Sequence, residues 1–222
     1  NEALKIGIQS ALFDVLYDFN NSLTEMESSF KSIFDFGNLM LAEGRVKPPV
    51  ILETSAIVSK DNKYQLRSSD ASYLIYSQAE VTLRAPSYLD YLTFGIIKPK
   101  EPETLLLPTT DEEMKVWKEG VNSGWILGIK QGNDIIKEGF SSLFRDYLGM
   151  EIFHIMHKAN IVSMPSFERM DIDTTTDGRN LKVGEVTFKV SILPEFNGNT
   201  DMWKALPRLN EIYTELERIK GL

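Results

Sequence analysis

Between Trp117 and Gly132 the apolar residues keep helical spacing while a glycine recurs at every fourth position: Gly120, Gly124, Gly128 and Gly132. Each glycine in a helix interior gives up about 1 kcal/mol relative to alanine, so such a run needs a compensating contact. Residues four apart share one helix face, and a face without side chains lets another backbone come unusually close. Beside the glycines a bulky row repeats at the same spacing, Trp117, Val121, Trp125 and Ile129. The pattern predicts a groove next to a ridge, a packing or interaction seam filled by another segment of the same chain or by a second subunit. Lys118, Glu119, Lys130 and Asp134 interrupt the stretch, which argues against a membrane-spanning helix.

Acidic residues Asp111, Glu112 and Glu113 open this helical block after a Thr110 or Asp111 cap, where they complement the helix dipole. Helical periodicity then continues to about Ala159, long enough that a break is expected near Gly139 or Gly149. Upstream, apolar residues three or four apart from Ala3 to Phe34 predict an amphipathic helix. A break is expected at Asn20 and Asn21, with Ser22 and Glu25 forming a capping box for a second helix. Pro48 and Pro49 end any helix there.

From Val50 to Leu83 the pattern changes to strand-like alternation. Ile51, Ile57 and Val58 precede a polar turn at Lys60, Asp61 and Asn62, Tyr64 and Leu66 follow it, and further strands are expected over Tyr73–Ser77 and Glu80–Leu83. Ser87 is placed to cap a short helix running to Phe94, and Pro99, Pro102 and Pro108 hold an extended connector. After Pro165 the chain turns polar. Asp177-Gly178 favours a tight turn, and the alternation of Leu181, Val183, Val186, Phe188, Val190 and Ile192 predicts a closing strand pair. The tail from Asp201, with Trp203, Leu206, Leu209, Ile212, Tyr213, Leu216 and Ile219, has the spacing of a final amphipathic helix. The elements make an α+β fold: a long glycine-marked central helix, N- and C-terminal helices and small, mainly antiparallel sheets, with a subdomain junction near 95–110.

At 222 residues, with 42% apolar and 25% charged residues, the chain is long enough to bury a sizeable core. A formal charge of -8 and the lack of any run of basic residues argue against direct nucleic-acid binding. The absence of cysteine removes disulfides, thiolate metal sites and cysteine nucleophiles. The start at Asn1, with neither an initiator Met nor a basic-then-apolar leader, points to a processed or trimmed N-terminus.

Three constellations bear on chemistry. Glu151, His154 and His157 share one helix face, and a Glu-x-x-His pair is half of a di-iron carboxylate site, but these are the chain's two histidines and no second half exists. Asp171, Asp173 and Asp177 with Gly178 resemble a calcium loop only loosely. Thr175 and Thr176 occupy the positions where the EF-hand needs a ligand and a glycine, so a polar loop with an Asp-Gly turn is expected. Serines occur without a nucleophile elbow, Walker loop or Rossmann fingerprint. No catalytic, cofactor or metal set is expected; the alternative is a periplasmic metal-binding protein or enzyme built on Glu151, His154 and His157.

The block from Trp117 to Asn133, continuing through Phe140, Leu143 and Arg145-Asp-Tyr-Leu-Gly-Met150, resembles the long helical region of the DotC/TraI family, lipoproteins of type IVB secretion and IncI-type conjugation systems. Ala3–Leu12, Pro48-Pro49, Ala85–Leu92 and Leu106–Pro108 follow the family's order upstream. Downstream, Val162–Pro165, the Thr-rich segment with Asp177-Gly178, Ile192–Asn197 and Trp203 do the same. The resemblance implies a single DotC-like domain over 1–222 in the outer-membrane core complex, held to the membrane by an upstream lipid anchor and facing the periplasm. It further implies DotD-like and DotH-like partners, a multimeric ring, and no catalytic residues. The family's signal peptide and lipobox cysteine are not among these residues, and the segment after Leu206 extends past the matching part.

Overall fold

The computed structural model describes residues 1–54, 58–62, 65–68 and 72–204. Ile57, Tyr64 and the part of the expected C-terminal helix beyond residue 204 lie outside the described residues; where that helix is expected to start, at Asp201, the chain forms a short 3-10 turn, Thr200–Met202, and leaves it extended at Trp203 (ψ 135°). The described chain is α+β, with helices α1 (Glu2–Glu25), α2 (Glu27–Ile33), α3 (Tyr88–Leu92) and α4 (Asp111–Lys158). Its strands are β1 (Val46–Lys47), β2 (Val50–Thr54), β3 (Val58–Asn62), β4 (Gln65–Ser68), β5 (Ser72–Ser77), β6 (Glu80–Val81), β7 (Ser166–Thr176) and β8 (Leu181–Ile192). They pair as four antiparallel two-stranded ladders: β1 with β6, β2 with β5, β3 with β4 and β7 with β8. Two compact units divide the chain, one of Asn1–Asp35 with Ser87–Phe144, the other of Phe36–Pro86 with the chain from Arg145 onward. The proline-spaced stretch 95–110 lies inside the first unit, and the unit boundaries fall at 35/36, 86/87 and 144/145.

In the first unit α1 lies along the glycine face of α4. Gly120 faces Ala3, Gly124 faces Leu4 and Ile8, Gly128 faces Ile8 and Ala11, and Gly132 faces Val15, so the two helices run parallel. The fit is mutual, because α1 brings its own small stripe, Ala3, Gly7 and Ala11, all buried. A Cβ on Gly124 would collide with the Leu4 carbonyl oxygen and stand 3.0 Å from Ile8 N; one on Gly7 would stand 2.9 Å from Trp125 N. Main chain therefore meets main chain. Further along, an aromatic cluster takes over: Phe19 lies 5.7 Å from Phe94 and 5.9 Å from Phe140, Phe30 lies 5.3 Å from Tyr88, and Phe34 lies 5.3 Å from Phe144.

Two helix boundaries differ from those expected. α1 runs through Asn20 and Asn21 and breaks at Met26, because Ser22 and Thr24 turn their hydroxyls back to the carbonyls of Asp18 and Asn20 (3.0 Å each) and do not cap a new helix. α4 continues unbroken through Gly139 and Gly149 for 48 residues. Both glycines serve close approach: a Cβ at 139 would stand 2.8 Å from Tyr91 O, and one at 149 would stand 3.0 Å from Ile51 N and O. The start of α4 is held by a capping box in which Glu113 N donates to Thr110 Oγ1 (3.2 Å) and Glu113 Oε2 accepts from the Thr109 and Thr110 amides (2.8 and 3.2 Å).

In the second unit the C-terminal part of α4 packs Ile152, Phe153 and Met156 against Ile51, Ile161 and Val162, with Tyr73 and Ile75 half-buried at the margin. Strand alternation explains this: Ile51 pairs with Ile75 in the β2–β5 ladder and points to the helix. Asp146 is buried beside Arg145 (2.8 Å) and Lys47 (3.9 Å), and the Arg145 guanidinium lies 4.6 Å from the Tyr76 ring centre. Lys60, Asp61 and Asn62, expected as a turn, belong instead to strand β3, which continues through Asn62. The polar segment after Pro165, expected as a loop, is the eleven-residue strand β7, and Leu181–Ile192 forms one continuous strand, β8, paired with it. β-branched Thr174, Thr175 and Thr176 suit a strand even without an apolar face.

Gly124→Ala is expected to lower stability by about 1–3 kcal/mol, since the added methyl overpacks against backbone, although propensity alone favours alanine. Gly95→Ala, which meets no atom within 4 Å, is expected to stay within about 0.5 kcal/mol of wild type. Chemical denaturation of the two variants checks this, and a stabilised Gly124→Ala would show that α1 can back away from α4.

Candidate interaction site

The histidine face is built into the fold. His154 donates from Nε2 to Leu39 O (2.7 Å) and His157 donates from Nδ1 to Val162 O (3.2 Å), each tying α4 to a segment packed beside it. Phe153 meets His154 edge-on at 5.3 Å and stacks on His157 at 6.1 Å. Glu151 is half-buried on the same helix, and among the described residues no group of three or more His, Asp or Glu is disposed to hold a metal ion. His154→Ala leaves the Leu39 carbonyl without this donor and is expected to lower stability by about 1–3 kcal/mol, read by thermal or urea unfolding.

The Asp-rich segment is likewise occupied by its own hairpin. Asp171 pairs with Arg169 (2.9 Å), and Asp177 accepts from Arg179 N (2.9 Å), Asn180 N (2.7 Å) and Asn180 Nδ2 (2.9 Å), with Gly178 at φ +85° completing the turn. The Asn180 side chain, then the Asn180 and Arg179 amides, hold the Asp177 carboxyl down at about 2. Because the folded value lies below the ordinary one, this contribution to the turn is present above the ordinary carboxyl range and is lost as pH falls through about 2. Carboxyl NMR titration is expected to show Asp177 still ionised at pH 3.

The seam residues sit together on the first unit's α4 segment. Gly124, Gly128 and Gly132 are buried and Gly120 half-buried under α1 of the same chain, while Trp117 and Val121 are half-buried. Trp125 and Ile129 keep 38% and 37% of their surface exposed. Farther round the same helix, Val116 (68%) and Ile126 (69%) face outward. Ile126 lies two residues from both Gly124 and Gly128, about 200° from the glycine face, so a helical projection would have found it. Leu83 is almost wholly exposed, and on the β7–β8 hairpin Met170, Leu181 and Val183 are at least 60% exposed. Single exposed apolar residues are ordinary, but groups of them on one element mark contact surfaces. An open cleft of about 700 Å³ between α1 and the 95–103 connector is lined by Leu12, Phe13 and Leu16 and by both lysines and glutamates, a mixture that selects no single ligand.

To these features is joined a match over nearly the whole chain. Residues 1–205 match the family model described as type IV secretory system, conjugal DNA-protein transfer. The chain belongs to this TraI family. Among curated proteins no match is found. Membership places the chain in a type IV secretion or conjugation system, which fits an envelope-associated location. Among the described residues no helix is long and apolar enough to cross a membrane. Sequence reasoning missed one part of this TraI-family chain's surface, strand β7. Its signal was the run of β-branched threonines before the Asp-Gly turn, masked by the charges of Glu168, Arg169, Asp171 and Asp173.

Proposed function

We propose that this TraI-family chain is a non-catalytic structural component of the outer-membrane core complex of its type IV secretion system, a scaffold for export of protein or DNA–protein cargo. In this reading it faces the periplasm as a lipoprotein, anchored through a lipid on an upstream residue. It stands with DotD-like and DotH-like partners in a ring and touches no nucleic acid itself. Family membership carries the proposal. Supporting it are the two histidines, both engaged by backbone carbonyls, and apolar side chains left in solvent on α4 and on the β7–β8 hairpin. Interface centres are rich in such groups, and their loss speeds dissociation more than it affects folding.

The test is substitution at exposed positions. Ile126→Glu and Trp125→Ala are expected to weaken co-purification with the outer-membrane partners and lower conjugation or secretion at least tenfold, with helix content kept. Ile126→Glu should also leave the unfolding midpoint near wild type. The opposing result comes from His154→Ala with His157→Ala. If that protein folds, joins the complex and still fails in transfer, a chemical role for the Glu151, His154 and His157 face replaces the scaffold.

A further inference from the structure

Among the described residues, three that are not glycine take left-handed backbone: Ala42 (φ +48°), Glu43 (φ +56°) and Asn160 (φ +60°). Asparagine tolerates that region, while the Cβ of alanine or glutamate makes it unfavourable. Asn160 follows the end of α4, but Ala42 and Glu43 stand side by side with Gly44 (φ +85°) in the turn after Leu41. Arg45 N donates to Ala42 O (3.1 Å), so Glu43 and Gly44 form the centre of a tight turn of the kind that favours Asn-Gly.

Strain of this kind persists where the surroundings hold it. The Leu41 carbonyl oxygen accepts from the amides of Gly44, Arg45 and Val46 (3.1, 3.2 and 3.1 Å), Leu41 N donates to Val46 O (2.8 Å), and Thr82 N donates to Arg45 O (2.9 Å). So held, the turn carries Arg45 to the β7–β8 hairpin, where its guanidinium lies 5.5 Å from the Phe188 ring centre. The guanidinium of Arg169, which stands opposite Phe188 in the ladder, lies 5.6 Å from the same ring. Phe188 is half-buried, and Val186 and Val190 share its strand face. A cation–ring contact at an exposed arginine is weak, of the same order as the strain of one left-handed residue.

We infer that the 41–46 turn is a strained latch on the β7–β8 hairpin. The Arg45–Phe188 contact holds the hairpin beside β6, the backbone of Ala42 and Glu43 works against that contact, and the hairpin passes between a held and a released position. Because the opposing contributions are similar in size, a single side chain shifts the balance either way. Release uncovers Phe188 and the strand face it shares with Val186 and Val190, so the latch regulates when that face is open to contact. The inference goes beyond membership of the secretion machinery, and it holds or fails whatever the chain's place in the envelope.

Hydrogen exchange of the full chain reads the latch, because a two-stranded hairpin is marginal by itself and opens its ladder once released. In Arg45→Ala the β7–β8 amides are expected to exchange about threefold to fivefold faster than in wild type. In Glu43→Asn, which eases the turn and keeps Arg45, they are expected to exchange about twofold or more slower. In both variants the amides of α1 and α4 should keep their wild-type rates. Unchanged hairpin exchange in Arg45→Ala, unchanged or faster exchange in Glu43→Asn, or an equal change in α4 would each overturn the inference. None of these results bears on whether the chain joins the core complex, which co-purification reads separately.

Discussion

Approach of backbone to backbone along α4 is the constraint on which both units are built. Wherever a neighbour must come close, α4 has no side chain: at Gly120, Gly124, Gly128 and Gly132 for α1, at Gly139 for the chain around Tyr91, and at Gly149 for β2. Each glycine weakens the isolated helix by about 1 kcal/mol, so α4 depends on its neighbours for stability. Packing offsets the deficit because a side-chain-free face brings many atoms into van der Waals contact at once. The matching stripe of Ala3, Gly7 and Ala11 on α1 keeps the approach close from both sides.

This economy of side chains within each unit leaves larger ones elsewhere. In the first unit the bulky row beside the glycines straddles the line between cover and solvent: Trp117 and Val121 half-buried, Trp125 and Ile129 partly exposed. In the second unit, polar groups are spent on internal ties. His154 and His157 anchor segments to α4, and Asp146 is balanced by Arg145 and Lys47. These polar groups serve as joints of the fold in a chain whose family is described by conjugal DNA-protein transfer in a type IV secretory system.

The β7–β8 hairpin follows a different rule. Its order comes from one turn and a regular ladder, while its faces stay largely in solvent. Such an element keeps its shape through its turn and ladder hydrogen bonds and owes little to a buried core of its own.

The sequence by itself determined the α+β class, the start of α4, the contact face marked by its glycines and the Asp177 turn, because each rests on local chemistry: helical period, capping residues, small side chains four apart, and a carboxylate next to glycine. The family was likewise legible, through the order of many short landmarks over nearly the whole chain. Only the tertiary structure decided what lies in the glycine groove, since a bare face admits any backbone and the matching small residues of α1 stand more than a hundred positions away. It also decided that α4 passes through Gly139 and Gly149, where a glycine in sequence reads equally as a break or as a close approach. The same holds for β7, whose charged and threonine-rich residues carry no apolar alternation. Its strand state comes from the ladder with β8, and a ladder is a property of two segments that neither one's sequence contains.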